Sequence, residues 1–559
     1  MLKINHRGWG YLLVVIAVFI AYGGSIDNGF TYDDRGLVLE DPRIVIGDWG
    51  AIVTQSYWGD KGDGLYRPLT TASLALTWLV CKDQPWLYHL VNLLLHALAG
   101  AMLLYVVQRQ VGYGIGVVAA LLFALHPGPS EAVFSIVGRA ELLACCWGLG
   151  AVICSLAART TAGVSVRWLV GGFICLLASM LSKENGLAFA CGLLLGEIIC
   201  NRRIGWIGGM AILAATVAAL VKWVAIGAFE PEGIGYLDNP LAYGTADLRF
   251  AQGFGLVVRG VAKLVFPWPL VADYSPQQIP LYDHWLEMGI IWPILLTLSL
   301  GWGVLIVLKA KATSGLWLGI SGGALLITSN IFVTTGTIFA ERLLYMPAIG
   351  LCLGWGWCLS RLDRRWLVGI TSVWLAMAGG ILWVRGGEWQ SDRALFASVV
   401  DKHPLSARGH YGLGLAWHRG GELNKAVTAY ERAIALYPRY LEAEFNKGGA
   451  LVEMGLYDTA VKAYQRVLAL RPNHFKARYT LSLLEAERGN INWAETTLRQ
   501  LYKERATRSD ILHSLVTVLM RRGNSAAAVE MIAMGLERDP LNDELRQLQQ
   551  ALKKSQARD

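Results

Sequence analysis

Residues 404–438 read PLSARGHYGLGLAWHRGGELNKAVTAYERAIALYP, and the prolines at both ends belong to a period. Pro404, Pro438 and Pro472 are spaced by 34 residues, and Pro540 lies two further periods along. Ala426, Ala460, Ala494 and Ala528 keep the same spacing without a gap. A period of about 34 with small and aromatic residues at fixed places specifies helix-turn-helix units. The alanine is expected where the two helices of a unit touch, and the proline where the second helix ends. Four units exceed the roughly three that a stack needs. Residues 404–540 are therefore expected to form an α-solenoid, and Leu541–Ala557, within the tail 541–559, a polar capping helix. The third and fourth units are degenerate, with Ala506 standing where a proline is expected. Such a stack offers a groove for a peptide or a protein partner and brings no chemistry of its own.

Toward the N-terminus the composition changes. The whole chain of 559 residues is 54% hydrophobic and 16% charged, with mean hydropathy +0.41; ordinary soluble domains carry about 25% charged residues. Long apolar runs fill Trp9 to Val384 and are missing beyond it. The chain thus reads as all-α, a polytopic membrane helix bundle over 1–387, a junction at 388–403, and the solenoid. A span needs about 20 apolar residues. Candidates are Trp9–Ile26, Leu90–Val107, Gly114–Leu125, Leu142–Ala158, Trp168–Leu181, Gly186–Cys200, Trp206–Ala228, Met288–Leu308, Leu316–Val333, Leu343–Ser360 and Trp366–Val384, about eleven in all. Lys3, His6 and Arg7 precede the first, which places the N-terminus on the cytoplasmic side. The loops then predicted inside hold Arg109, Arg159 with Arg167, Arg202 with Arg203, Lys309 with Lys311, and Arg361 with Arg364 and Arg365. An odd number of spans puts the repeats outside, in periplasm or lumen. The net charge of +8 resides largely in these short loops. No basic block is interleaved with aromatics, so nucleic acid is excluded as a partner. Eight of the nine cysteines lie in or beside apolar spans, and none forms a CxxC or Cys/His metal pattern.

Two longer segments, 27–89 and 229–287, fall outside. Each holds an apolar stretch too short or too polar to span: Leu69–Val80 in one, and Phe250, Phe254, Val257, Val261 and Leu264 at helical spacing in the other. The second, with Arg249, Arg259 and Lys263 interspersed, reads as an interfacial helix whose cations meet lipid phosphates or snorkel. Ionisable residues near membrane depth point to function by default, and here they gather at outer ends. Asp33 and Asp34 sit in GFTYDDRG. Neighbouring carboxylates point in different directions, so one suits proton acceptance from a nucleophile while the other orients it; the plain alternative is an acidic turn or helix cap. Tyr66 and Arg67 follow in the same loop. His89, Asn92 and His96 share one helix face; packed histidines are favoured over metal ligation, since no third ligand is evident. His126, Glu131, Arg139 and Glu141 crowd one outer turn, Lys183 and Glu184 another, and Glu341, Arg342 and Tyr345 open a further span. Any one of these pairs reads as an internal ion pair. Five outer ends together predict a polar cleft at the outer membrane surface, open to a lipid-borne substrate and to a soluble one.

Several of these stretches carry a resemblance. FTYDD resembles the acidic motif in the first outer loop of the GT-C glycosyltransferases, which use polyprenyl-phosphate sugars. YRPL, YHLVNLLLHALAG, ALHPGPSEAVFSIVGRAELLA, SKENG and ERLLYMPAIG stand in that order ahead of the repeats. Together they are similar to the transmembrane-and-tetratricopeptide-repeat O-mannosyltransferases and their bacterial relatives. Leu413, Gly414, Trp417, Ala426, Tyr430, Ala433 and Pro438 fit the tetratricopeptide pattern position by position. The resemblance implies an inverting enzyme that moves a monosaccharide from a polyprenyl phosphate to a protein Ser or Thr hydroxyl. It implies Asp33 as the base and Asp34 as its support or the sugar's. Candidates for the donor phosphate and sugar are then Arg67, Arg139, Lys183, Arg342 and Tyr345. Tyr66, His89, Asn92, His96, His126, Glu131, Glu141, Glu184 and Glu341 complete the cleft. No cofactor or metal is implied beyond the lipid donor. Four repeats, no Asn-x-Ser/Thr sequon and a terminal SQARD favour a bacterial inner membrane over the endoplasmic reticulum. Two other readings are a membrane-anchored scaffold built on the repeats and, behind it, a transporter of lipid-linked sugars.

Overall fold

The structure, a computed structural model, describes residues 8–59, 64–161, 163–201, 203–227, 233–276, 278–279, 281, 291, 294–295, 297–298, 301, 312–505 and 508–556. It divides into two compact units, Met1–Ser406 and Ala407–Asp559. Nearly all of the regular structure is helical; among the described residues the strands are a two-residue antiparallel pair, Arg159–Thr160 with Gly163–Val164.

Among the described residues, six helical stretches of the first unit are long and apolar enough to cross a bilayer: Gly8–Asp27, Pro85–Gln110, Arg139–Ala158, Trp206–Ile226, Glu341–Leu359 and Arg364–Glu388. Their exposed surface is apolar, with Trp223, Val224, Val373 and Trp383 facing outward, as a lipid-facing surface requires. This is a membrane protein by the length and composition of its helices. Helix length does not give the expected count of eleven. Four further candidates appear as the shorter helices Tyr113–Ala124, Val166–Ser182, Leu187–Asn201 and Ala312–Ile327, of 12, 17, 15 and 16 residues. At 1.5 Å per residue these reach about 18–26 Å, less than a hydrocarbon core of about 30 Å. One of them ends early at a specific stop. The segment expected to run to Val333 ends at Ile327, and Asn330 follows in the left-handed region (φ +63). The Asn330 side chain accepts from Asn239 Nδ2 at 2.8 Å and donates to the Ile338 carbonyl at 3.2 Å. The candidate Met288–Leu308 lies mostly outside the described residues, as do Lys3, His6, Arg7, Arg202, Lys309 and Lys311.

Membrane helices lack a hydrophobic drive toward one another and associate by close packing of small residues. Leu187–Asn201 and Ala312–Ile327 do so backbone to backbone. A Cβ on Gly192 would lie 2.6 Å from the Leu316 carbonyl oxygen, and one on Gly319 2.6 Å from the Gly192 Cα.

The two outer segments are folded. The first carries Pro42–Ile46, Trp49–Thr54 and Pro68–Cys81, the last of only 14 residues. Asp41 caps Pro42–Ile46 and also grips buried Arg43, whose Nη1 and Nη2 donate to the carbonyls of Ser56 (2.6 Å) and Tyr57 (2.8 Å). The second segment forms the helix Ala246–Val265. Its buried face differs from the expected stripe: Val257 and Leu264 are buried, but Phe250 is exposed, and Ala251, Gly253, Leu256 and Gly260 complete the packed side. Small residues win there because the helix rests closely on Ile331, Leu325 and Leu344.

The second unit is four helix pairs and a closing helix: Ala407–Arg419 with Leu423–Leu436, Leu441–Glu453 with Tyr457–Leu470, Phe475–Glu487 with Ile491–Glu504, Ser509–Arg521 with Ser525–Arg538, then Asp543–Gln556. Ala426, Ala460, Ala494 and Ala528 are all fully buried. In the first two pairs a glycine faces a tyrosine ring; a Cβ on Gly414 would lie 2.6 Å from Tyr430, and one on Gly448 2.9 Å from Tyr464. Ala506 and Ala557 lie outside the described residues.

Candidate active site

The two acidic neighbours after the first long helix have opposite surroundings. Asp34 is fully buried. One carboxylate oxygen accepts from the Thr31 amide (3.1 Å) and hydroxyl (3.3 Å), the other from the Val137 amide (2.9 Å) and the Ser135 hydroxyl (3.2 Å). It thereby ties the first outer segment to the turn before Arg139. Burial outweighs these donors and pushes its pKa up to about 7. Asp33 is partly exposed, and one of its oxygens lies 3.8 Å from Arg342 Nη2. The residue before it is strained: Tyr32 has φ +53, uncommon for a bulky side chain. Its amide donates to Asp392 (2.8 Å), its hydroxyl to Asp273 (3.1 Å), and its ring meets Phe396 edge-on. These contacts hold the turn that presents Asp33.

Three cations stand with it, each paired to a carboxylate. Arg342 donates from Nη1 to fully buried Glu131 (2.5 Å), and its amide donates to the other Glu131 oxygen (3.0 Å). Lys183 meets buried Glu141 at 2.6 Å. Arg67 donates to Glu184 at 3.0 Å and stacks over the Tyr57 ring at 4.8 Å. The Lys183 pKa is lowered, first by burial; Glu141 opposes, and the charges of Arg67 and Arg342 add to the lowering. Those couplings bring Arg67, Lys183 and Arg342 into one neighbourhood. At Glu184 burial raises the pKa, but neighbouring Arg67 more than reverses it, and the net shift is downward.

Other residues expected in the cleft are structural. Arg139 is buried, and each of its three nitrogens bonds inside the fold: Nε to Asn92, Nη1 to Ser73 and Thr77, Nη2 to the Tyr88 carbonyl. Tyr345 is buried and bonds His96 Nδ1 (2.7 Å), whose Nε2 sits 2.9 Å from the Ala124 carbonyl. The pair thus bonds one helix to the next inside the bundle. Asn92 donates to the carbonyls of Ser135 and Ile136, and His89 is buried on the same helix. His126 bonds the Leu264 carbonyl (2.9 Å), with its pKa lowered to about 4 by burial. Tyr66 donates to the Val53 carbonyl (2.8 Å). Glu341 accepts from the Val271 amide, the Tyr274 hydroxyl and Arg385. Among the described residues no three His, Cys, Asp or Glu groups are placed to share a metal ion.

The tetratricopeptide repeat family model matches residues 383–440 and 445–510. Among curated proteins, a Caenorhabditis elegans protein O-mannosyl-transferase, F38B6.6, is 27% identical over 432 residues, covering 74% of this chain and 60% of that protein. Human protein O-mannosyl-transferase TMTC4 is 26% identical over 483 residues, covering 73% and 63%. This chain resembles the protein O-mannosyl-transferases. It spans about three fifths of the length of these two relatives. Among solved structures, YrrB, described as a TPR protein with an unusual peptide-binding site, aligns with TM-score 0.27 at 17% identity over 28% of this chain and 81% of YrrB.

The residues that hold the turn before Asp33 carry no local sequence signal. Asp273, Asp392 and Phe396 lie far along the chain. Arg385, which grips both Glu341 and Glu388, sits in an apolar run, and that setting was an available signal. Chemically, the arrangement offers a partly exposed carboxylate for proton acceptance beside guanidinium and ammonium groups held for an anion.

Proposed function

We propose that this chain is a membrane-bound glycosyltransferase of the protein O-mannosyl-transferase type. It transfers a mannose-like sugar from a polyprenyl phosphate to a protein Ser or Thr hydroxyl on the outer face, with inversion. The observation that carries the reading is Asp33, presented by strained Tyr32 and facing Arg342, which is itself paired to Glu131. Asp33 takes the acceptor's proton as its oxygen bonds to the sugar C1. The bond from C1 to the phosphate oxygen breaks, and the polyprenyl phosphate leaves with the electron pair, its new charge met by Arg342, Arg67 and Lys183. The repeats hold the acceptor or an assembly partner. The family resemblance supports the sugar class, and the basic loops between apolar runs support an outward-facing cleft.

The test uses detergent-purified wild type and Asp33→Asn with several radiolabelled polyprenyl-phosphate sugars and total envelope protein as acceptor. Label is expected to reach protein with wild type alone. Equal transfer by Asp33→Asn refutes the base, and no transfer by either form with any donor refutes the activity.

A further inference from the structure

A buried hydroxyl without a partner stands at the edge of this cleft. Tyr57 is 4% exposed, and its Oη makes no hydrogen bond among the described residues. An unpaired buried hydroxyl costs folding free energy, so one retained in a folded protein calls for a reason. Loose placement is not the reason. The Asp41–Arg43 staple bonds the Ser56 and Tyr57 carbonyls, and the Tyr57 amide donates to the Leu65 carbonyl at 2.7 Å. The ring packs with Leu37 and Val137, the latter being the residue whose amide holds Asp34. Arg67 covers the ring face. The charges of Arg67, Asp33, Arg342 and Asp34 all act on the phenol, while burial pushes its pKa up to about 12. The group therefore stays a neutral O–H donor at any working pH, set among the charged groups of the cleft.

We propose that the Tyr57 hydroxyl is a ligand-binding group that donates to a non-bridging phosphate oxygen of the lipid donor, beside Arg67. This rests on the glycosyltransferase reading. An unpaired donor on a ring that a guanidinium covers suits an anionic acceptor, because a hydrogen bond to an ionised oxygen is roughly twice as strong as one to a neutral oxygen. It also grips the phosphate without adding a further positive charge.

Tyr57→Phe keeps the ring and removes only the unpaired atom. Full-length wild type and variant in lipid nanodiscs are titrated with polyprenyl phosphate and, separately, with uncharged polyprenol. Melting without ligand is recorded for both. The variant is expected to melt at the same temperature or higher, to bind polyprenyl phosphate about tenfold more weakly (1.4 kcal/mol), and to bind polyprenol like wild type. Equal binding of polyprenyl phosphate by both forms overturns this inference and leaves the enzyme reading standing. A lower melting temperature, or an equal loss for polyprenol, overturns it in favour of a packing role. If wild type itself shows no preference for the phosphate over the polyprenol, the glycosyltransferase reading falls, and this inference with it.

Discussion

Replacing Asp34 with Asn is expected to loosen the first unit, whereas Asp33→Asn is expected to leave the fold standing and stop transfer. Asp34 accepts four hydrogen bonds, two at each oxygen. Asparagine keeps one oxygen and turns an NH2 toward the other pair of donors. The hydroxyl of that pair, on Thr31 or Ser135, can rotate to accept; the backbone amide of Thr31 or Val137 cannot. One buried amide is left facing a donor, which costs about 1–3 kcal/mol, so a loss of about 2 kcal/mol is expected. Asp33, partly exposed and 3.8 Å from Arg342, belongs with pairs worth under about 1 kcal/mol. Unfolding in detergent is followed by maleimide labelling of Cys145, a fully buried thiol. The pH dependence has a definite sign. Burial raises folded Asp34 to about 7, against about 3.9 in an unfolded chain. The folded form therefore holds its proton to higher pH. That contribution is complete below about pH 4 and is lost as pH rises through about 7. Wild-type stability should decline across this window, and Asp34→Asn should flatten the decline. Equal destabilisation by the two variants, or the same slope in both, refutes the division of roles.

Arg139→Lys leaves an ammonium with three donors where Asn92, Ser73, Thr77 and Tyr88 all accept. It should lower stability by about 2–3 kcal/mol without raising the KM for the lipid donor, as measured by denaturation and donor titration. Gly319→Leu forces a side chain into the Gly192 backbone. Such overpacking costs about 1–3 kcal/mol or more, read as a lower melting temperature. Glu131→Gln removes the charge that holds Arg342 by side chain and backbone. Transfer should fall at least about tenfold while donor binding falls less, since about 1.4 kcal/mol of orientation is lost; a kcat equal to wild type refutes the role.

How much of this was legible in the sequence depended on whether the cause was local. The 34-residue period gave the helix pairs because each repeat packs on its neighbour in sequence. Even so, a stronger signal went unread. Gly421, Gly455, Gly489 and Gly523 keep the same period and take φ of +76, +74, +91 and +77 in the turn inside each pair, so the third and fourth repeats are less degenerate than the proline missing at position 506 suggested. Apolar runs marked membrane helices but not the end of Ala312–Ile327, because the turn after it is held by a distant partner, Asn239 on Asn330. At the site, charge at outer ends picked out groups that the fold pairs with one another, such as Arg342 with Glu131 and Lys183 with Glu141, and gave no means of ranking them. Arg139 and Arg342 look alike in sequence; one has all three side-chain nitrogens bonded inside the fold, while the other has a nitrogen turned toward Asp33.

For the proposed transfer, that turned nitrogen has a particular value. Glu131 fixes Arg342 from behind, so its guanidinium is oriented before any substrate arrives and pays no rotamer entropy at the moment of reaction. Consider the charges as bonds change. The lipid phosphodiester carries one negative charge, and the departing polyprenyl phosphate gains a second. Over the same step Asp33 takes a proton and loses its own. One unit of negative charge thus passes from Asp33 to the phosphate, and the cation beside Asp33 exchanges one anionic neighbour for another while staying in place. The total charge of the cleft is unchanged, so little of the surroundings must reorganise. Pairing Arg67 and Lys183 with Glu184 and Glu141 serves the same end. Unpaired, three cations in a low-dielectric cleft would favour the doubly charged product and slow its release; paired, they stabilise the charge as it forms and let the lipid go.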